Sequence, residues 1–388
     1  MPQKNPIALK TAEGGFPPSK GLEKIIAGET ALSLVDGVEG KLYYSGIPVH
    51  EFVDNSSFEE VAYLLWYGKL PAKGELDAFK QKLVASRKLP PEIFGLIERL
   101  PAQGHPMAVL RTVISALAFH DDNADDISSD GTLEKAYVLT AAAPTIIAAS
   151  YRLRQGKKPI EPDPKLSHAA NFLYMMHGEV PQPEMERGLD AYLILLADHG
   201  FNASTFAARV TAATESDMYS AIASAIGTLK GDLHGSANQR AMEMILAVGD
   251  VEKAEAYVSN ILDNKKKVMG FGHRVYKEKD PRAEAFRGIA AQMLEKAGER
   301  KWMEISNAIE KVMWEKKRIP CNVDFFSASV LYVLGFPVSF FTTVFAASRM
   351  AGWTGHVIEQ RKDNKLIRPS CVYTGPRDQH YPPIDQRK

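Results

Sequence analysis

Three segments of the sequence place an ionisable side chain at the start of a predicted helix. The side chains are His234 in LKGDLHGSANQ, His273 in GFGHRV and Asp324 in CNVDFF. The positive end of a helix keeps an imidazole such as His234 neutral and able to polarise a carbonyl, while apolar surroundings raise the pKa of a carboxylate towards that of a general base. Taken alone, His234 is better explained as a helix-capping or core histidine and Asp324 as a plain N-cap, whereas a buried histidine and a reactive one are equally good interpretations of His273. We predict proton transfer at a carbonyl compound only if the fold brings the three segments together. The spacing of the segments along the sequence does not show that it does.

The second of these segments extends over 265–282, reading KKKVMGFGHRVYKEKDPR, and concentrates positive charge. It opens with three lysines, and Arg274 and Lys277 add two further cations. Gly270 and Gly272 allow sharp turns and a close approach of the backbone to a ligand. These features suit a phosphate-bearing ligand beside a reactive carbonyl. A solvated loop is an equally good interpretation, because GFGHRV is not the dinucleotide-binding GxGxxG pattern.

Three arginines, Arg282, Arg349 and Arg368, are available to orient a substrate. A guanidinium group matches a carboxylate bidentately, so several arginines near two histidines suit a substrate with more than one carboxylate. The sequence contains no metal-ligand spacing, no Walker motif and no Gly-x-Ser-x-Gly motif, and no metal site is predicted.

Composition and charge exclude several classes of partner. Lys+Arg and Asp+Glu both number 47 in 388 residues, so no net field draws the chain to nucleic acid or to a membrane. The two cysteines are too few for a disulfide framework or a four-ligand zinc site. The N-terminus has no apolar core of signal-peptide length, and no window is long and apolar enough to span a bilayer. We therefore expect a cytoplasmic protein with a polar leader.

Helical periodicity dominates the elements that must position these side chains. The stretches 30–36 and 41–45 predict one β-hairpin, and Ser57 with Glu60 suggests a capping box at the first helix. The remaining helices are predicted at 75–87, 91–100, 106–119, 132–155, 167–176, 184–198, 203–214, 217–229, 236–247, 251–262, 282–297, 301–317, 324–334 and 338–361. Few other segments alternate at period two, so the fold class is all-α.

The predicted helix 217–229 combines an apolar stripe with many small residues. Asp217 is its expected N-cap, and the stripe consists of Met218, Ile222, Ala225, Ile226 and Leu229. Small side chains let a second helix approach closely, either within the chain or from another subunit. We favour a subunit interface, because a matching helix on a symmetry mate would solve the packing.

Six long motifs in a fixed order give the chain a family resemblance. They are DHGFNASTFAARV at 198–210, LKGDLHGSANQ at 229–239, KKVMGFGHRVYKEKDPR at 266–282, NVDFFSA at 322–328, FAASRMAGWTGHVIEQ at 345–360 and LIRPSCVYTGP at 366–376. From about residue 20 to residue 376 the chain resembles citrate synthase in the short form of many bacteria and archaea. The resemblance implies an all-helical fold with a large domain, 1–222 and 323–388, and a smaller domain, 223–322, which closes over the active site. It also implies a homodimer.

The resemblance further implies condensation of oxaloacetate with acetyl-CoA, followed by hydrolysis to citrate and CoA. No cofactor is implied, because the CoA thioester is a substrate. Asp324 would remove the acetyl proton, His234 would donate to the thioester oxygen, and His273 would polarise the ketone. The residues that would bind oxaloacetate are His199, His234, His273, Arg282, Arg349 and, from the other subunit, Arg368. The residues that would line the CoA site are Lys267, Val268, Met269, Gly270, Phe271 and Gly272.

Three positions depart from the usual family pattern: Asp232 and Ser236 flank His234, and Ala328 follows NVDFFS. The negative charge of Asp232 would work against a neutral His234. Two alternatives stay open: a 2-methylcitrate synthase that uses propionyl-CoA, and a catalytically silent homologue that only binds acyl-CoA. The retention of both histidines, Asp324 and the arginines argues against the silent homologue.

Overall fold

The computed structural model describes residues 19–22, 25–273, 275–276 and 279–387. The chain divides into two compact units, one of residues 1–29 and 367–388 and the other of residues 30–366. In the described part of the first unit, only the 3₁₀ turns Lys20–Leu22 and Ile384–Gln386 are regular structure. Arg274 and Lys277, two of the cations noted in the sequence, lie outside the described residues, as does most of the predicted polar leader.

The second unit is built almost entirely from helices. Within the described residues, the α-helices are α1 (Val49–Asn55), α2 (Phe58–Tyr67), α3 (Lys73–Ala85), α4 (Pro91–Arg99), α5 (Pro106–Ala116), α6 (Ser129–Arg154), α7 (His168–His177), α8 (Pro183–Leu196), α9 (Ala203–Ala212), α10 (Met218–Leu229), α11 (Ala237–Val248), α12 (Ala254–Asp263), α13 (Pro281–Lys296), α14 (Arg300–Lys317), α15 (Val323–Val333) and α16 (Phe341–Lys362). Short 3₁₀ turns at Leu117–His120, Val251–Lys253 and Val338–Phe340 adjoin α5, α12 and α16. The all-α prediction is confirmed, and α1 is a helix that the sequence interpretation missed.

The predicted hairpin consists of β1 (Ser33–Asp36) and β2 (Lys41–Tyr44), which pair antiparallel with Asp36 opposite Lys41. The Asp36 carboxylate accepts hydrogen bonds from the backbone N–H groups of Val38 and Glu39, both at 2.9 Å, and so closes the turn. A third short strand, β3 (Ile47–Pro48), pairs with β2. The hairpin prediction is confirmed, with one strand added.

The predicted capping box at α2 is wrong. Ser57 occupies the N-cap position, but its side chain makes no cap hydrogen bond. The backbone N–H of Phe58 donates instead to Asp190 Oδ1 at 3.0 Å, and Glu60 accepts from Ser56 Oγ at 2.6 Å. A side chain from α8 thus replaces the local cap, which a local sequence pattern cannot reveal.

The central helix α16 is buried along most of its length, and its side chains reach the core on every face. Gly352 makes this possible on one side, because a Cβ there would lie 2.3 Å from the carbonyl oxygen of Ala197. The Gly352 backbone N–H donates to that same oxygen at 3.1 Å. This close approach sets α16, which carries Arg349, directly against the end of α8, which leads into His199.

Helix α10 begins as predicted, because Asp217 Oδ1 accepts from the backbone N–H of Ser220 at 2.8 Å. Its whole predicted apolar stripe is buried within the chain. The small residues Ala223, Ser224 and Gly227 are only partly covered. The interface role of this face stays a prediction.

The predicted smaller domain, 223–322, contains α11 to α14. In this structure α13 packs on α8 and α15, and α11 also packs on α15. The division into closing domains stays a prediction. Among the described residues, none of the helices combines the length and apolar character needed to cross a membrane.

Candidate active site

His234 lies in the loop between α10 and α11, and its ring is anchored through Nε2. The backbone N–H of Ser204 donates to Nε2 at 3.3 Å, and Ser204 Oγ lies 2.8 Å from the same nitrogen. Trp353 Nε1 donates to Ser204 Oγ at 3.1 Å and fixes the hydroxyl from behind. Because Nε2 accepts a backbone N–H, a neutral ring carries its proton on Nδ1. His234 therefore has one N–H donor for a ligand.

Burial, followed by the charge of Arg349, lowers the pKa of His234 to about 4. The imidazole is consequently neutral at physiological pH, as the sequence predicts, although the first cause is burial rather than the helix N-terminus. The nearby Asp232 points away, with an exposed side chain that pairs with Arg240 at 2.9 Å. The departure from the family pattern at this position therefore does not place a carboxylate against the ring.

His273 follows two glycines whose backbone conformations require the absence of a side chain. Gly270 has φ +80° and Gly272 has φ +77°. The loop then folds back, so that His273 Nδ1 accepts the backbone N–H groups of Val275 and Tyr276, both at 3.1 Å. The proton of the neutral ring is thus on Nε2. Burial, followed by the charge of Arg282, lowers the pKa of His273 to about 4.

Arg282 lies in the first turn of α13 and forms a buried pair with Asp280. Arg282 Nε donates to Asp280 Oδ1 at 3.0 Å, and Nη2 donates to Oδ2 at 2.9 Å. Burial opposes the charge of the guanidinium, but the bond to Asp280 outweighs it and raises the pKa of Arg282. Arg282 Nη2 also lies 3.5 Å from His273 Nε2, so the cation and the ring face the same space.

Asp324 lies in the first turn of α15 without serving as its cap. Asn322 is the N-cap, and its Oδ1 accepts the backbone N–H of Asp324 at 3.1 Å. Within the described part of the chain, no hydrogen-bond donor is assigned to the Asp324 carboxylate. Burial, which Arg282 only partly offsets, raises the pKa of Asp324 to about 6. A carboxylate with this pKa is ionised at neutral pH and more basic than an ordinary aspartate.

Arg349 and His199 complete the buried wall of the site. Arg349 is 1% exposed, and its Nε donates to the carbonyl oxygen of Leu196 at 2.6 Å. His199 lies three residues further along, with its ring centroid 5.3 Å from that of His273. Burial and then the charges of Arg282 and Arg349 hold the pKa of His199 well below its usual value. His199 is therefore a third neutral imidazole.

The two guanidinium groups show that the three segments converge. The charge of Arg282 influences the pKa values of His199, His273 and Asp324. The charge of Arg349 influences those of His199, His234 and Asp324. Five of the six predicted oxaloacetate-binding residues therefore surround one region. Arg368 belongs to the other unit, where it is exposed.

The glycine loop that precedes His273 is held by the chain segment before α15. Phe271 bridges to Cys321, Gly272 N–H donates to the carbonyl oxygen of Pro320 at 2.9 Å, and Asn322 Nδ2 donates to Gly272 O at 2.9 Å. A Cβ on Gly270 would lie 2.8 Å from Phe325 Cβ. Lys267 is exposed at the start of the loop, and Val268 is buried. Three of the six predicted CoA-site residues, Gly270, Phe271 and Gly272, are thus held against the start of the helix that carries Asp324.

Among residues 19–22, 25–273, 275–276 and 279–387, the side chains form no group of three or more His, Cys, Asp or Glu that could hold a metal ion.

A family model for the citrate synthase C-terminal domain matches residues 21–370. The chain belongs to the citrate synthase family. The match includes the segments that carry His199, His234, His273, Arg282, Asp324 and Arg349.

Individual members of the citrate synthase family are similar to this chain over nearly its full length. The citrate synthase of Haloferax volcanii is 46% identical over 373 residues, which cover 95% of this chain and 98% of the relative. The 2-methylcitrate synthase of Shewanella oneidensis is 42% identical over 369 residues, with 95% and 97% covered. A solved ternary complex of carboxymethyl coenzyme A and oxaloacetate with citrate synthase from Thermoplasma acidophilum superposes with a TM-score of 0.90 at 35% identity, covering 96% of this chain and 100% of that one.

A buried network of polar side chains lies next to the site, and it was not predicted from the sequence. Asp198 accepts hydrogen bonds from His356 Nε2 at 3.2 Å and from the hydroxyl of Ser33. His356 Nδ1 in turn lies 3.1 Å from Arg209, which pairs with Glu359 at 2.6 Å. The sequence offers one signal for this network, which is the position of Asp198 directly before His199. The other partners lie far away in the sequence.

Proposed function

We propose that this protein is a citrate synthase, which condenses acetyl-CoA with oxaloacetate and water to give citrate and CoA. One observation carries the proposal. His234 and His273 are neutral imidazoles, and each accepts a backbone N–H on one nitrogen, which leaves the other nitrogen as a donor. Asp324 is a carboxylate with a raised pKa, and it lies within the electrostatic influence of Arg282 and Arg349. Two donors for two carbonyl oxygens and one base for one C–H bond are the groups that this condensation needs.

The first step is removal of a methyl proton from acetyl-CoA by Asp324. An acetyl C–H is a very weak acid, so the enolate oxygen must be stabilised as the proton leaves. In the proposal His234 Nδ1–H donates to that oxygen. General acid–base assistance of this kind is typically worth about 10²–10⁴ in rate.

In the second step the enolate carbon attacks the ketone carbon of oxaloacetate, and the new alkoxide takes the proton of His273 Nε2. The proton that Asp324 removed from the methyl group then restores the neutral His273 ring and the Asp324 carboxylate. The oxaloacetate carboxylates would be held by His199, Arg282 and Arg349. These residues supply two buried guanidinium groups and one hydrogen-bonding imidazole close to His273. Holding both reactants in line adds a proximity contribution, equivalent to effective molarities of about 10⁵–10⁸ M in well-oriented models. Water then hydrolyses the citryl thioester to citrate and CoA.

The loop of Lys267, Val268, Met269, Gly270, Phe271 and Gly272 is proposed to line the CoA site. Its glycines let the backbone approach a ligand, and exposed lysines at 265–267 supply positive charge for phosphate groups. The smaller domain, 223–322, is proposed to close on the large domain, 1–222 and 323–388, and to exclude water until hydrolysis. No cofactor takes part in this scheme.

A homodimer completes the proposed site. Arg368 is proposed to reach oxaloacetate in the partner subunit, as the family resemblance implies. The partly covered small residues of α10 are the proposed helix contact between subunits. The proposed location is the cytoplasm, and neither nucleic acid nor a membrane is a proposed partner.

The decisive experiment is a thiol-release assay with acetyl-CoA in the presence and absence of oxaloacetate. We expect CoA release that depends on oxaloacetate, and an Asp324→Asn variant that still binds oxaloacetate but releases almost no thiol. A protein that binds both ligands and releases no thiol would be the silent homologue and would overturn the proposal.

The second candidate is a 2-methylcitrate synthase, favoured by the relative of that activity that covers nearly the whole chain. Propionyl-CoA differs by one methylene group, which an apolar pocket discriminates by only about 1–3 kcal/mol. A comparison of kcat/KM for acetyl-CoA and propionyl-CoA separates the two functions. A preference for propionyl-CoA would reverse our order.

A further inference from the structure

Tyr276 lies between two of the three neutral imidazoles of the site. Its hydroxyl oxygen is 3.1 Å from His199 Nε2, and its ring stacks on His273 with a centroid distance of 4.5 Å and an interplanar angle of 29°. Tyr276 is 3% exposed, so both contacts are sheltered from water. These contacts bring together residues that lie 77 positions apart.

We propose that Tyr276 is a positioning residue that orients His199 and His273 for oxaloacetate. The inference rests on the proposed function, in which both imidazoles contact this substrate. The hydroxyl can donate to or accept from Nε2 of His199, so it holds the ring in either neutral tautomer. The aromatic face holds the plane of His273, while the backbone N–H groups of the same loop fix its Nδ1. Neither histidine then has to lose ring freedom when the substrate arrives.

The hairpin turn between β1 and β2 supports the Tyr276 loop from the other side. A Cβ on Gly37 would lie 2.5 Å from the carbonyl oxygen of Val275, and a Cβ on Gly40 would lie 3.0 Å from the carbonyl oxygen of Lys279. The hairpin backbone at Gly37 and Gly40 therefore lies close to the carbonyl groups of Val275 and Lys279. A side chain at position 37 would have to displace Val275, the residue directly before Tyr276.

The test compares Tyr276→Phe with a matched control, Tyr219→Phe. Tyr219 is equally buried, at 2% exposed, and its hydroxyl donates to Asp121 Oδ2 at 2.8 Å, outside the proposed site. Tyr276→Phe keeps the stacked ring and removes only the hydroxyl. We expect its Kd and KM for oxaloacetate to rise about 2- to 12-fold, the usual range for one lost hydrogen bond. The KM for acetyl-CoA and kcat should change much less, and Tyr219→Phe should alter neither substrate's constants.

A second variant tests the support from the hairpin. Gly37→Ala should weaken oxaloacetate binding in the same direction, whereas Gly74→Ala, where an added Cβ meets open space, should not. The proposal is overturned if Tyr276→Phe leaves the Kd for oxaloacetate unchanged, or if it raises the constants of both substrates equally. The Kd for oxaloacetate is measured by calorimetric titration, which does not require the enzyme to turn over. Failure of the proposed function would appear as absent thiol release in the parent protein, separately from the effect of Tyr276.

Discussion

The carboxylate of Asp280 accepts a hydrogen bond from the backbone N–H of Val323 at 3.1 Å. The same carboxylate forms the buried pair with Arg282, so one side chain joins the first turns of α13 and α15. Because α15 carries Asp324 one residue further on, Asp280 sets the position of a proposed oxaloacetate-binding arginine relative to the proposed base. The link connects the predicted smaller domain, 223–322, with α15, the helix at which the large domain is predicted to resume.

Replacement of Asp280 by Ala should therefore harm both stability and activity. The substitution leaves the Arg282 guanidinium buried without its carboxylate, and such broken pairs typically cost about 3–5 kcal/mol. We expect a lower Tm and a loss of kcat/KM for oxaloacetate that exceeds the loss for acetyl-CoA. Asp77→Asn is the control, because Asp77 forms an exposed pair with Lys73 and should contribute less than about 1 kcal/mol. Equal Tm values for the two variants would contradict the proposed role of Asp280.

The pH dependence of turnover should report the ionisation of Asp324. Its raised pKa, about 6, means that the base is protonated and inactive at lower pH. The pKa values of His234 and His273, both about 4, keep these rings neutral over the same range. We expect kcat/KM for acetyl-CoA to fall about tenfold per pH unit below about pH 6 and to be flat above it up to about pH 8. A profile that stays flat from about pH 8 down to about pH 4 would contradict Asp324 as the base.

The same burial of Asp324 should cost the folded protein stability. In the unfolded chain the carboxyl ionises near pH 3.8, and in the folded chain it ionises near 6. As pH rises between these values the unfolded state loses its proton first, so stability falls, and the full penalty is present above about pH 6. Asp324→Asn should thus abolish thiol release and raise the free energy of unfolding by about 1–3 kcal/mol at neutral pH. Urea denaturation should show no such gain below about pH 4, and a loss of stability at neutral pH would refute the account.

The sequence interpretation succeeded where the signal was local. Helical periodicity located α2 to α16 to within a few residues, and Asp217 was correctly identified as an N-cap. The neutral state of His234 was also foreseen, although burial and Arg349 cause it more than the helix terminus does. Helix α1 carried a usable signal, since Val49, Phe52 and Val53 have helical spacing, but its seven residues are too few for a clear period.

The contacts that orient the site could not be predicted in the same way. Ser204 lies 30 positions from His234, Tyr276 lies 77 from His199, and His356 lies 158 from Asp198. Such partners are set by how helices pack, and a single sequence carries no distance information across those separations. The N-cap of α15 is a related case, because Asn322 and Asp324 are both good local caps and only the fold shows that Asn322 is used.

Glycine at position 270 should be essential to the loop before His273. Its φ of +80° disfavours any side chain, and an added Cβ would lie 2.8 Å from Phe325 Cβ. Gly270→Ala should therefore destabilise the protein by about 1–3 kcal/mol and raise the KM for acetyl-CoA. Gly288→Ala in α13 is the matched control, because its Cβ would meet open space and should stabilise the helix by about 0.5–1 kcal/mol. Similar Tm values for the two variants would show that the loop tolerates a side chain.

Donation of Arg368 across a subunit boundary can be tested by complementation. The Arg368→Ala and Asp324→Asn variants should each be almost inactive. When they are coexpressed with different affinity tags, a mixed dimer contains one site with an intact Asp324 and, from its partner, an intact Arg368. Random pairing should then restore about a quarter of the parental activity, and purified mixed dimers about half. If Arg368 acted within its own chain, both sites of a mixed dimer would lack one group, and the thiol assay would detect no recovery.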